Sequence, residues 1–146
     1  MPELEGNSLQ AVDINVGMDG GWYEPATSGQ GFFIDVHDNG QGGNFVFVSW
    51  FTYGETTASG RRWLTAEGHL EGSTAELVIY DTNGGIFDDA TPPESEIVGS
   101  MTLDFIDCDN ALLTYSITDE DLEGEIPITR VVPLGEAYCE ELVGAE

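Results

Sequence analysis

The sequence contains no lysine. Arg61, Arg62 and Arg130 carry all of its fixed positive charge against 28 acidic residues, for a formal net charge of −25. Such a chain repels phosphate backbones and anionic headgroups, which argues against nucleic-acid partners and membrane surfaces. The simplest meaning of the imbalance is solubility in a salty medium, where screening over about 8 Å or less relieves self-repulsion. Binding or steering of a cationic ligand is the sharper alternative. Long apolar runs are missing too: no stretch approaches the roughly 18 residues of a membrane span, so no membrane insertion is expected. Met1-Pro2-Glu3-Leu4-Glu5-Gly6 reads as the start of a mature or trimmed form, without a signal peptide.

Histidine and cysteine are scarce. His37 and His69 are the only bases of their kind, each among acidic neighbours, and no Gly-x-Ser-x-Gly elbow is present. A catalytic triad is therefore not indicated, and no catalytic residue is assigned. Cys108 and Cys139 fall short of the four ligands of a structural zinc site. One disulfide is the more economical reading, two buried thiols the alternative. A disulfide fits an oxidising compartment, secreted or periplasmic.

Helix signals are confined to the tail, Leu134 to Leu142. Elsewhere short β-branched and aromatic runs alternate with Gly/Asn/Asp turns, which is an all-β pattern. Strands are expected at Trp22–Tyr23, Gly31–His37, Asn44–Tyr53, Arg61–Leu70, Thr74–Tyr80, Ile97–Ile106, Ala111–Ile117 and Gly124–Val132, with an Asn39-Gly40 turn after the second. Connections of hairpin length forbid parallel crossovers. The expected fold is an antiparallel up-and-down barrel of about eight strands over 19–146, with a two-sheet β-sandwich as the alternative. Residues 1–18 form an N-terminal segment, either an edge strand at Ala11–Val16 or a plug across one end. The third strand is apolar on both faces, Phe45, Phe47, Phe51 and Tyr53 on one and Val46, Val48 and Trp50 on the other. Both faces need cover, which points to a packed N-terminal segment or a homo-oligomer.

Gly21-Trp22-Tyr23-x-Pro25-x-x-Ser28-Gly29-Gln30-Gly31-Phe32, Trp50-x-x-Tyr53, Arg62-Trp63-Leu64-Thr65, Gly84-Gly85-x-Phe87, Leu103-x-Phe105-x-x-Cys108 and Gly124-x-Ile126-Pro127-Ile128-x-Arg130 resemble an uncharacterised β domain of secreted proteobacterial proteins. The resemblance spans roughly residues 20–139. It implies a compartment and a domain type, supports a disulfide through the late cysteine partner of Cys108, and brings no catalytic residues. The Gly-Trp-Tyr opening and later tryptophans are also similar to avidin-like barrels. That similarity supports the barrel and carries no biotin site.

Paired carboxylates are too numerous for any glycosidase-type pair to stand out. Asp35 lies in an apolar strand and is expected to point outward as its polar half; an inward Asp35 would need Arg62 or Arg130 beside it. No cofactor is assigned, although calcium could use the acidic turns Asp119–Glu125 or Asp107–Asn110. Aromatics with a few polar companions build small-molecule and sugar sites. The candidate ligand residues are Trp22, Gln30, Trp50, Tyr53, Arg62, Trp63, Tyr80 and Arg130, lining a barrel lumen. The expected function is an extracellular binding module for a small molecule or glycan. A barrel-type cyclase or isomerase working without a nucleophile and a structural adhesion or assembly module are the alternatives.

Overall fold

A computed structural model describes residues 11–38 and 44–144. Eight antiparallel strands follow one another around a closed barrel: β1 Gly20–Tyr23, β2 Gly31–Asp38, β3 Asn44–Tyr53, β4 Arg61–Glu71, β5 Thr74–Asn83, β6 Glu94–Asp107, β7 Asn110–Ile117 and β8 Leu122–Arg130. One helix, α1 (Glu136–Gly144), ends the described chain. The all-β up-and-down barrel is thus the fold, and the sandwich is not. The expected Asn39-Gly40 turn and residues 1–10 lie outside the described residues.

Two-residue alternation builds the core. Phe32, Ile34 and Val36 on β2, Val46, Val48 and Trp50 on β3, and Leu64 and Ala66 on β4 all point inward and are buried. Leu77, Ile79, Met101, Leu103, Phe105, Leu113 and Ile128 complete the lining from the other side. Between Ile79 and Tyr80 the register slips by one residue, so that Gly99 and Ile97 face them and Val98 is the extra residue, turned into the core. The slip prolongs the β5–β6 hairpin beyond the expected ends, through Asp81↔Glu96, Thr82↔Ser95 and Asn83↔Glu94. A Thr82–Ser95 hydroxyl bond of 2.6 Å satisfies side chains in a stretch whose composition suggests a loop. At Gly99 a Cβ would strike the Ser116 carbonyl, so only glycine lets β6 and β7 approach there.

Residues 11–18 do not form an edge strand. They cross the end of the barrel where β1 begins and β8 finishes, with Ile14 N–H bonded to Gly72 O at 2.9 Å and a short 3-10 turn at Val16–Met18. Asn15 caps that turn through its own side chain, accepting from Gly17 N–H at 2.8 Å. The Cys108–Cys139 disulfide ties α1 to the same end, across a sequence separation of 31. Arg130 locks the plug. Its Nε donates to Cys108 O at 2.7 Å, its Nη2 donates to Gly17 O at 2.9 Å, and its guanidinium lies 4.7 Å from the Trp22 ring centre. Burial lowers the Arg130 pKa, and Asp109 and Glu136 oppose that shift.

Closure rests on a short seam. β7 and β8 pair from Asn110↔Thr129 to Ile117↔Leu122, but β1 meets β8 only at Trp22↔Arg130 and Tyr23↔Thr129. Val131 N–H bonds Gly21 O at 2.9 Å, which fixes the odd-numbered N–H groups of β8 on the β1 side. Pro127 therefore stands where its missing N–H takes no ladder bond away. This is how an unpaired edge tolerates proline.

Candidate functional site

The eight residues expected to share a lumen fall into three places. Trp22 and Arg130 belong to the plugged end, where Trp22 is fully buried, donates its indole N–H to Met18 O at 2.9 Å and meets Phe105 edge-on at 5.3 Å. Trp50 and Arg62 face inward near the opposite mouth, and Gln30 stands on its rim, bonded to Thr52 and bordering the outer wall. Tyr53, Trp63 and Tyr80 lie outside the lumen, which corrects the expectation for those three. The cause is strand parity. Trp63 precedes buried Leu64 and pairs with Phe51, while Tyr80 follows buried Ile79 and pairs with Thr65 and Ile97.

At the mouth, Trp50 packs between Phe32 (5.2 Å) and Tyr115 (5.5 Å), so aromatic rings fill this level of the barrel. Above them Thr52 Oγ1 donates to Gln30 Oε1 at 2.6 Å. Arg62 bonds Asp81 on β5 at 3.2 Å and reaches across to Glu120, in the β7–β8 turn, at 2.5 Å. Burial opposes the Arg62 charge, but the bonds to Glu120 and Asp81 outweigh it and leave the pKa raised. Both inward arginines are thus already engaged by the protein.

Asp35 points outward as expected and pairs with His37 Nε2 at 2.9 Å. Asp19 has a raised pKa, caused first by burial, although the Val36 N–H donates to it at 2.6 Å and lowers it. In the Asp107–Asn110 turn the Asp107 carboxylate accepts from Asp109 N–H (2.8 Å) and Asn110 Nδ2 (3.1 Å), which makes it an Asx-type turn. Among the described residues no three His, Cys, Asp or Glu side chains gather as a metal site.

A recess beside the Trp22–Phe33 motif runs along the outer wall from the Ser28–Gly31 turn at the mouth to Val131 and Val132, just past the end of β8. A cleft of about 420 Å³ is lined by Tyr23, Gln30, Phe33, Phe51, Val131 and Val132, together with the Ser28–Gly31 turn. Phe33 and Phe51 are 57% and 47% exposed and meet edge-to-face at 5.8 Å. Glycine makes room for them: a Cβ on Gly21 would come within 3.3 Å of the Phe33 ring and 3.4 Å of Val131. Gly29 has φ +100°, which suits glycine, and its carbonyl accepts from Tyr53 Oη at 3.3 Å. Across that bond a second cleft, about 560 Å³, runs from Tyr53 along Gly54–Thr57 to Arg61.

No family model, curated protein or solved structure matches this chain. The site must therefore be read from its own geometry. Sequence reasoning had Gln30 and Tyr53 among the candidates and missed Phe33, Phe51, Val131 and Val132. A signal for two of them was present. The double apolar face of the third strand required a cover over Phe51, and an exposed ring at Phe33 follows from the same parity.

Proposed function

We propose that this protein is an extracytoplasmic binding module that takes a small molecule or glycan at the mouth of the barrel, in the cleft between the Ser28–Gly31 turn and the Phe33–Phe51 pair. The observation that carries this reading is the exposure of two packed aromatic rings beside bare glycine backbone and Gln30. Exposed rings in a concave, mostly apolar recess with a few polar groups at its edge are suited to the apolar faces of sugars and other small rings. The volume falls within the roughly 300–1,000 Å³ usual for such sites. Tyr53 Oη and the Gly29 carbonyl supply directional polar groups at the rim. The disulfide fits an oxidising compartment. The resemblance of the Gly21–Phe32 motif to a domain of secreted proteins supports the same placement.

The test is a panel of neutral mono- and oligosaccharides titrated against the intact protein, followed by Trp63 fluorescence and calorimetry. Phe51→Ala should weaken binding about tenfold or more while the fold, checked by circular dichroism, is kept. Trp50→Phe should leave affinity unchanged. If Trp50→Phe or Arg62→Gln abolishes binding and Phe51→Ala does not, the ligand sits inside the mouth and the cleft reading fails.

A further inference from the structure

The outer wall of β2–β5 carries a second surface, at the plugged end of the barrel and apart from the rim cleft. Strand registers set it out as two rows. One runs Asp35–Phe47–Glu67–Val78 and the other His37–Phe45–His69–Glu76. Directly opposed side chains on neighbouring strands have Cβ atoms about 4.5–5.5 Å apart, so carboxylates stand on both sides of Phe47. Phe45 is held between the two imidazoles, at 6.1 Å from His37 and 6.0 Å from His69. Both phenylalanines are half-buried and face outward, and beside them a cleft of about 800 Å³ opens along Glu67, His69, Glu71, Glu76 and Val78.

No arginine answers these carboxylates. Arg62 is bonded to Asp81 and Glu120, Arg130 is buried in the plug, and Arg61 lies at the other end of β4. We propose that this wall docks a basic, partly apolar polypeptide segment of a partner protein. Charge complementarity selects the occupant. A second copy would bring the same carboxylates and the same net charge of −25, and anionic lipid or nucleic acid is repelled likewise. A simple cation would use the carboxylates and leave the phenylalanines idle. A guanidinium or ammonium lying over Phe47 between Asp35 and Glu67 uses all three.

The geometry also sets a spacing. Asp35 and Glu67 are two strands apart, about 9–10 Å at the usual inter-strand distance. Two basic residues separated by three positions in a polyproline-type segment are about 9.3 Å apart and point the same way. β2–β5 have no free edge on this wall, since each is paired with its neighbours along the rows. Docking is therefore by side chains.

The probe is a fluorescently labelled peptide, Pro-Arg-Pro-Leu-Arg-Pro, measured by anisotropy against the full chain at about 150 mM salt, where charges beyond about 8 Å are screened. One-to-one binding is expected, weakened about tenfold or more by Phe47→Ala and by Glu67→Gln, and unchanged by Phe51→Ala. The Glu-for-Arg version of the peptide should not bind. Equal affinity for the wild type, Phe47→Ala and Glu67→Gln would reduce the effect to diffuse attraction and overturn the proposal. So would no binding at this salt, or sedimentation showing that the wall instead pairs two copies and that Phe47→Ala dissolves the pair.

Discussion

Breaking the Cys108–Cys139 bond tests how the plugged end is held. The crosslink closes a loop of 31 residues that contains β7, β8 and the first turn of α1. Removing it restores to the unfolded chain a loop entropy of about 12 cal/mol/K, or about 3.7 kcal/mol at 25 °C. A domain of 146 residues unfolds with an entropy of about 0.3 kcal/mol/K near its midpoint, so the double variant Cys108→Ala/Cys139→Ala should melt about 12 °C lower. Calorimetry of the wild type and the variant at equal salt measures this directly. The plug should loosen as well, because Gly17 packs tightly against the Cys139 backbone and Asn15 Nδ2 lies 3.6 Å from its sulfur. Exchange of the Trp22 indole proton, bonded to Met18 O, reports that loosening independently of the melt. A shift below about 3 °C with unchanged Trp22 exchange would show that Arg130 and its carbonyl bonds hold the plug unaided, and the reasoning would be wrong.

Three further outcomes follow from the backbone and the charges. Gly31→Ala places a Cβ 2.9 Å from the Trp22 carbonyl, so β1 and β2 must part; about 1–3 kcal/mol of destabilisation by denaturant titration is expected, and an unchanged midpoint would refute the tight approach. Pro127→Thr supplies a donor on the unpaired side of β8, where Glu123 and Glu125 also stand; self-association should appear in sedimentation at high salt, and a strictly monomeric variant there would show that the edge is protected by other means. The folded-state pKa of Asp19 is raised, so its ionisation costs stability as pH rises through the window from 3.8 to that raised value, and the loss is complete above it. Asp19→Asn should therefore be more stable than the wild type at pH 7, with the difference vanishing below about pH 3.8; equal stability at neutral pH would contradict the shift.

Strand order, strand number and the disulfide were legible because they depend on local pattern: alternation in Asn44–Tyr53, glycine-rich turns, and two cysteines with no other employment. The inward or outward aim of particular aromatics was less so. Trp22 and Trp63 look alike in the sequence, yet parity buries one beneath Arg130 and leaves the other about half exposed beside Phe51. The role of Arg130 was out of reach for a different reason. Its partners are backbone carbonyls of Cys108 and Gly17, 22 and 113 residues away, and a carbonyl leaves no mark in a sequence. The β5–β6 extension was hidden because Asp81–Asn83 and Glu94–Glu96 have poor strand propensity and are held by register alone.

The distribution of aromatics decides where binding should be sought. Inside the barrel Trp22 meets Phe105 edge-on and Phe32 tilts against Trp50, and the two pairs serve stability by filling the section. Outside, Phe33, Phe51, Tyr53 and Trp63 are each about half exposed. Each exposed ring forgoes about 25 cal/mol per Å² of apolar area that burial would contribute. The exposed rings grouped at the Gly29–Gly31 rim and along β3 are the features on which the two proposed binding surfaces rest. The lumen gives the wall its rigidity, and both proposed binding surfaces lie on the wall.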